Sequence, residues 1–130
     1  MLLSKKLWII EDMEDLQPIY QHIFEGEQFS IQFFKSFEEF RRNYHHNEKN
    51  HPDLIIADIL LEDGHFFKLL NESDMTLSTP YLVISSSNDV ESFRGAFQAG
   101  AIDYLLKPFN KLELLYSLEL ALEKFHEQSS

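Results

Sequence analysis

Five short apolar runs, at residues 7–10, 31–34, 54–57, 81–84 and 102–106, alternate along this chain with segments of helical periodicity. A strand with one wet face alternates polar and apolar side chains, whereas a strand covered on both faces has no need to. Runs such as LWII, LIIA and YLVI therefore predict strands buried on both sides, the condition of a parallel sheet between two layers of helices. The intervening segments carry helix punctuation. Leu16, Ile19, Tyr20, Ile23 and Phe24 recur at helical spacing, with Gly26 placed to end that helix. Ser36 with Glu39, Asn88 with Glu91 and Asn110 with Glu113 have capping-box spacing, and Gly100 stands where the fourth helix should close. The third helical segment, 65–71, is short. Strand–helix alternation of this kind predicts a doubly wound α/β fold.

A length of 130 residues suits one domain, so residues 1–130 are expected to form a single unit. The formal net charge of −11 repels phosphate backbones and argues against direct contact with nucleic acid. Cysteine is absent, which excludes disulfides, thiolate metal ligands and cysteine nucleophiles together. The opening MLLSKKLWII holds too short an apolar run for a signal peptide or spanning helix. A cytoplasmic protein with no membrane partner is expected.

Doubly wound sheets bind their ligands at the carboxyl ends of the strands. Four of the five predicted strands end in, or run directly into, a polar residue suited to phosphoryl chemistry: Glu11-Asp12 after the first, Asp58 after the third, Ser85 after the fourth and Lys107 after the fifth. Three carboxylates in one cleft repel one another until a divalent cation joins them, and all-oxygen coordination suits Mg²⁺. Asp58 can then serve as a nucleophile toward phosphorus. Lys107 would supply positive charge and Ser85 a hydroxyl donor for the transferring oxygens.

The ordered fragments WIIED, PDLIIADILLEDG, PYLVISSS and DYLLKPF resemble the receiver domains of two-component response regulators, and the likeness runs from Leu7 through the last helix. The resemblance implies a flavodoxin-like sheet ordered 2-1-3-4-5 with about five flanking helices. It further implies a switch in which Asp58 accepts a phosphoryl group from a sensor histidine kinase or phosphotransfer protein. Asp12 and Asp58 would bind Mg²⁺ directly, Glu11 would assist through water, and the backbone carbonyl of Leu60 would complete the protein ligands. Lys107 would contact the phosphoryl group, and the Lys107–Pro108 peptide would be cis. Ser85 and Tyr104 would form the switch pair that reshapes the fourth helix, fifth strand and fifth helix for a downstream protein target. Leu60 and Ser87 occupy the positions that tune dephosphorylation. An apolar Leu60 has no group to orient an attacking water, so a long-lived phosphoryl group is expected. The chain departs from the family pattern at Glu62, where proline is usual, and at Phe66, where glycine is frequent. Ser85 replaces the commoner threonine and keeps the hydroxyl.

In the last helix, Leu114, Leu115, Leu118, Ala121, Leu122 and Phe125 form one arc expected to face the sheet. Leu112, Tyr116 and Leu120 form a separate stripe bordered by Glu113, Glu119 and Glu123. It is either scattered surface or a docking face for a partner or a second copy. His45, His46 and His51 are read as solvated loop histidines rather than a metal site. Competing functions fare less well. A phosphohydrolase of the haloacid dehalogenase type needs a second aspartate at position 60, which is Leu60. A flavin-binding module needs a phosphate loop where the acidic EDMEDLQ stands. A degenerate receiver acting as a constitutive interaction module remains the alternative, although every expected reactive residue is in place. With no DNA-binding output segment in the sequence, action by protein contact, or as the receiver portion of something longer, is expected.

Overall fold

Strand β1, Lys5–Ile10, pairs in parallel with β2, Phe29–Phe34, on one side and with β3, Leu54–Asp58, on the other. Beyond β3 the sheet continues with β4, Tyr81–Ser85, and β5, Asp103–Leu106. The resulting order, β2-β1-β3-β4-β5, is that of the flavodoxin-like doubly wound sheet, and its winding reverses between β1 and β3. The structure, a computed structural model, describes residues 5–44, 51–87 and 90–129, with side chains of the last helix described through residue 123. His45, His46, Asn88 and the side chain of Phe125 lie outside the described residues.

Successive side chains of each strand go to opposite faces and so to two separate cores. Trp8, Ile10, Phe34, Ile55, Ala57, Tyr81, Val83 and Tyr104 pack with helices α2, Phe37–Asn43, α3, Phe66–Glu72, and α4, Val90–Ala99. Leu7, Ile9, Leu54, Ile56, Leu82, Ile84 and Leu105 pack with α1, Gln17–Ile23, and α5, Lys111–Ser129. The uninterrupted apolar runs of β1, β3 and β4 thus reflect burial on both faces, whereas the edge strand β2 alternates, with Ser30 and Gln32 exposed. On α5, Leu114, Leu118 and Ala121 are buried against the sheet, with Leu115 and Leu122 packed at the edge of that core. On α1 the apolar face is narrower than its spacing suggests, because Ile19 points to solvent. Among the described residues no helix is long and apolar enough to cross a membrane.

The punctuation acts locally. Ser36 Oγ accepts the Glu39 N–H at 3.1 Å and Asn110 Oδ1 accepts that of Glu113 at 2.8 Å, each occupying an N–H that the helix itself leaves without a partner. Gly100 adopts φ +108° directly after α4, a conformation that side chains with a Cβ rarely take. After β3 the chain folds back in a two-residue antiparallel ladder, Leu60 opposite His65 and Leu61 opposite Gly64. It then enters α3 at Phe66. That ring is fully buried against Phe37, Phe40 and Tyr81, so Phe66 is a core member.

Phe66→Ala should therefore destabilise the fold by about 3–5 kcal/mol, the range for emptying a buried aromatic site. Urea unfolding measures this directly. A loss below about 1 kcal/mol would show that the surrounding rings close over the space without help from this one.

Candidate functional site

The carboxyl ends of β1, β3 and β5 converge beside the point where the winding reverses. β1 delivers Glu11 and Asp12, β3 ends on Asp58, and Lys107 follows β5. The chain folds in this way because each polar residue comes immediately after a run that must be buried. The Lys107 ammonium lies 2.7 Å from Asp58 Oδ2 and 3.0 Å from Glu11 Oε1. Residues separated by 49 and 96 positions in sequence thus share one cluster. Glu11 is 1% exposed and Asp58 8%, while Asp12 is half-buried at the rim. One ligand oxygen from each of Glu11, Asp12 and Asp58 lies within 4.8 Å of the others. Such a donor set, all hard carboxylate oxygen, fits a divalent cation of the Mg²⁺ kind.

The remaining expected residues lie on the neighbouring strands and in the loops after them. Leu60 donates its backbone N–H to Asp58 Oδ1 at 3.1 Å and is 63% exposed. Ser85, buried at the end of β4, accepts the Ser87 N–H on its Oγ at 3.0 Å. Tyr104 is buried, and its hydroxyl donates to the Ser87 carbonyl at 2.8 Å. Both members of the expected switch pair therefore meet on the backbone of one residue. The Lys107–Pro108 peptide is cis.

Other features lie away from the cluster. Leu112 and Tyr116 are 78% and 64% exposed, whereas Leu120 is half-buried, so the second stripe on α5 is shorter than its spacing suggests. On α4 an exposed aromatic pair, Phe93 and Phe97, escaped the sequence reading, and the Phe93 ring lies 5.4 Å from that of Tyr104. His51 sits beside the Tyr44 ring and 3.4 Å from Thr79 Oγ1. Also unforeseen is Asp63, whose carboxylate accepts N–H groups from α2 across 25 and 26 residues. No spacing rule signals a cap donated from so distant a loop.

Burial, with the neighbouring Asp58 charge adding to it, pushes Glu11 up to about 7, against the partial relief of its bond to Lys107. Burial alone would lower the Lys107 ammonium, but the hydrogen bonds and charges of Asp58 and Glu11 outweigh it and hold Lys107 above its ordinary value. The cleft is thus short of positive charge, and a divalent cation would supply more of it.

The sequence matches the family described as the response regulator receiver domain over residues 7–119. The regulatory protein VanRc of Enterococcus gallinarum is 27% identical, over 95% of this chain and 52% of that protein. The KDP operon transcriptional regulatory protein of Escherichia coli is 30% identical, over 89% of this chain and 50% of that protein. This chain spans about half the length of both. The structure is similar in fold to a CheY-like response regulator receiver domain protein from Methanospirillum hungatei. The TM-score is 0.82 at 21% identity, covering 96% of this chain and 98% of the other.

The buried acid has a consequence that needs no partner to observe. Between its unfolded value of 4.5 and about 7, Glu11 keeps its proton in the folded state and loses it in the unfolded one. The folded state then binds more protons, so this group's contribution to stability falls as pH rises through that window and is level on either side. Glu11→Gln cannot ionise and should flatten the slope relative to wild type. Urea unfolding in chelator at about pH 5 and about pH 8 gives the comparison, and a variant retaining the wild-type slope would assign it elsewhere.

Proposed function

The chain belongs to the response regulator receiver domain family, and on that premise we propose that it is a Mg²⁺-dependent phosphorylation switch with Asp58 as acceptor. The observation that carries the reading is the Lys107 ammonium held between Asp58 and Glu11 beside three clustered carboxylates. Asp12 and Asp58 would hold the cation directly, with the Leu60 carbonyl, and Glu11 would assist through water. When bound, Mg²⁺ would offset the charge of the carboxylates and of the entering phosphoryl oxygens.

An oxygen of Asp58 forms the new bond to phosphorus as the bond to the donor's imidazole nitrogen breaks, and the electron pair of that bond stays on nitrogen. Lys107, already within hydrogen-bond reach of Asp58, turns its ammonium toward the oxygens that gather charge. Ser85 Oγ releases the Ser87 N–H and donates to a phosphoryl oxygen. Because Tyr104 is bonded to the carbonyl of that same Ser87, movement there reaches the ring and the adjoining Phe93 on α4. The donor is a sensor histidine kinase or a phosphotransfer protein. The recipient is a downstream protein that reads α4, β5 and α5, where Leu112 and Tyr116 are exposed and Leu120 borders them; a second copy of the chain is the other candidate for that face. Residues 1–130 act as one receiver unit in the cytoplasm, and the only chemistry is phosphotransfer to Asp58 and its hydrolysis.

Incubation with Mg²⁺ and a small phosphoramidate, followed by intact mass, should add one phosphoryl group to the wild type and none to Asp58→Asn or to the chelated protein. A gain that survives Asp58→Asn would move the acceptor elsewhere. No gain in any arm would favour the constitutive interaction module. Leu60→Asn, which places a polar group where the exposed leucine offers none, should shorten the phosphoryl lifetime several-fold; an equal or longer lifetime would remove Leu60 from the control of hydrolysis.

A further inference from the structure

The loop that follows Asp58 is tied to α2 in two ways. Asp63 accepts the Phe37 N–H on one carboxylate oxygen and the Glu38 N–H on the other, each at 3.0 Å. Phe66, where the loop enters α3, packs its ring on Phe37 and Phe40. The two N–H groups are the first in α2 and the next is taken by Ser36 Oγ, so most of this helix cap comes from a different part of the chain. A carboxylate on the positive end of a helix makes charge-assisted bonds that hold both partners in place.

At its other end the same loop touches the reactive residue. The Leu60 N–H lies on Asp58 Oδ1, the Phe66 N–H closes on the Ile59 carbonyl at 2.8 Å, and the short ladder pairs Leu60 with His65. Midway stands Glu62. A proline fixes its own φ and narrows the choices of the residue before it; glutamate does neither. Besides the loop's own short ladder, Asp63, next to Glu62, ties its shape to a helix whose Phe37 and Phe40 are buried in the core.

We propose that Asp63 is a positioning residue for the Asp58 site: by fastening residues 60–65 to the start of α2, it keeps the Leu60 backbone in register with the acceptor carboxylate and with Mg²⁺. The inference rests on the Mg²⁺-dependent reading above, and one comparison separates the two. Mg²⁺ titration by calorimetry and a thermal melt are run on the wild type, Asp63→Ala, Asp63→Asn and Ser36→Ala. Asp63→Ala and Ser36→Ala both strip partners from the first turn of α2, so a purely structural role lowers both melting temperatures and leaves both Mg²⁺ affinities alone. A positioning role raises the Mg²⁺ Kd of Asp63→Ala by on the order of tenfold, as for other residues that orient a ligand, and leaves Ser36→Ala at the wild-type value. Asp63→Asn, with one accepting oxygen left, should fall between, and it carries the comparison if the alanine variant does not fold. Wild-type affinity in the Asp63 variants, or an equal rise in Ser36→Ala, overturns the positioning role and leaves the acceptor reading standing. A wild type that binds no Mg²⁺ overturns both.

Discussion

Like charge gathered in a confined place is the constraint from which the rest of this structure follows. Glu11, Asp12 and Asp58 come together at the end of a sheet buried on both faces, with one ammonium among them. In water such a group would separate; here each carboxylate is attached to a strand end that hydrophobic burial keeps in position. Burial energy spread over two cores holds a cluster that electrostatics alone would scatter. The same imbalance is one that a divalent cation would relieve.

Much of this was legible in the chain before any coordinates. The apolar runs predicted the strands to within a residue or two, most plainly at β1, β3 and β4, where a strand covered on both faces leaves its record in composition. The residues directly after those runs were the ones brought together, since the doubly wound topology gathers the carboxyl ends of its strands. Capping at Ser36 and Asn110 was readable for a similar reason: donor and acceptor lie three residues apart.

What escaped the sequence depends on contacts that no local spacing records. Asp63 reaches α2 over a separation that resembles nothing periodic, and Ser117 on α5 donates to the Asp103 carboxylate on β5 at 2.7 Å without any motif to announce it. Tyr44 gathers the N–H groups of Ser78 and Thr79 from 34 and 35 residues away. Phe93 and Phe97 were legible as helical residues but not as exposed ones, because an apolar residue on a helix reads as core until its neighbours are known. Ile19 shares the helical spacing of its apolar neighbours and is nonetheless exposed. Phe66 was legible as an aromatic residue in a short helix; only the packing shows that it belongs to the core.

The meeting of Ser85 and Tyr104 on the main chain of Ser87 bears on how such a device can diversify. The connection uses an amide hydrogen and a carbonyl oxygen, groups that every residue except proline provides alike. The link between the two hydroxyls therefore does not depend on which side chain stands at that position. A connection made of backbone survives an exchange of side chain that would break one made of side chains.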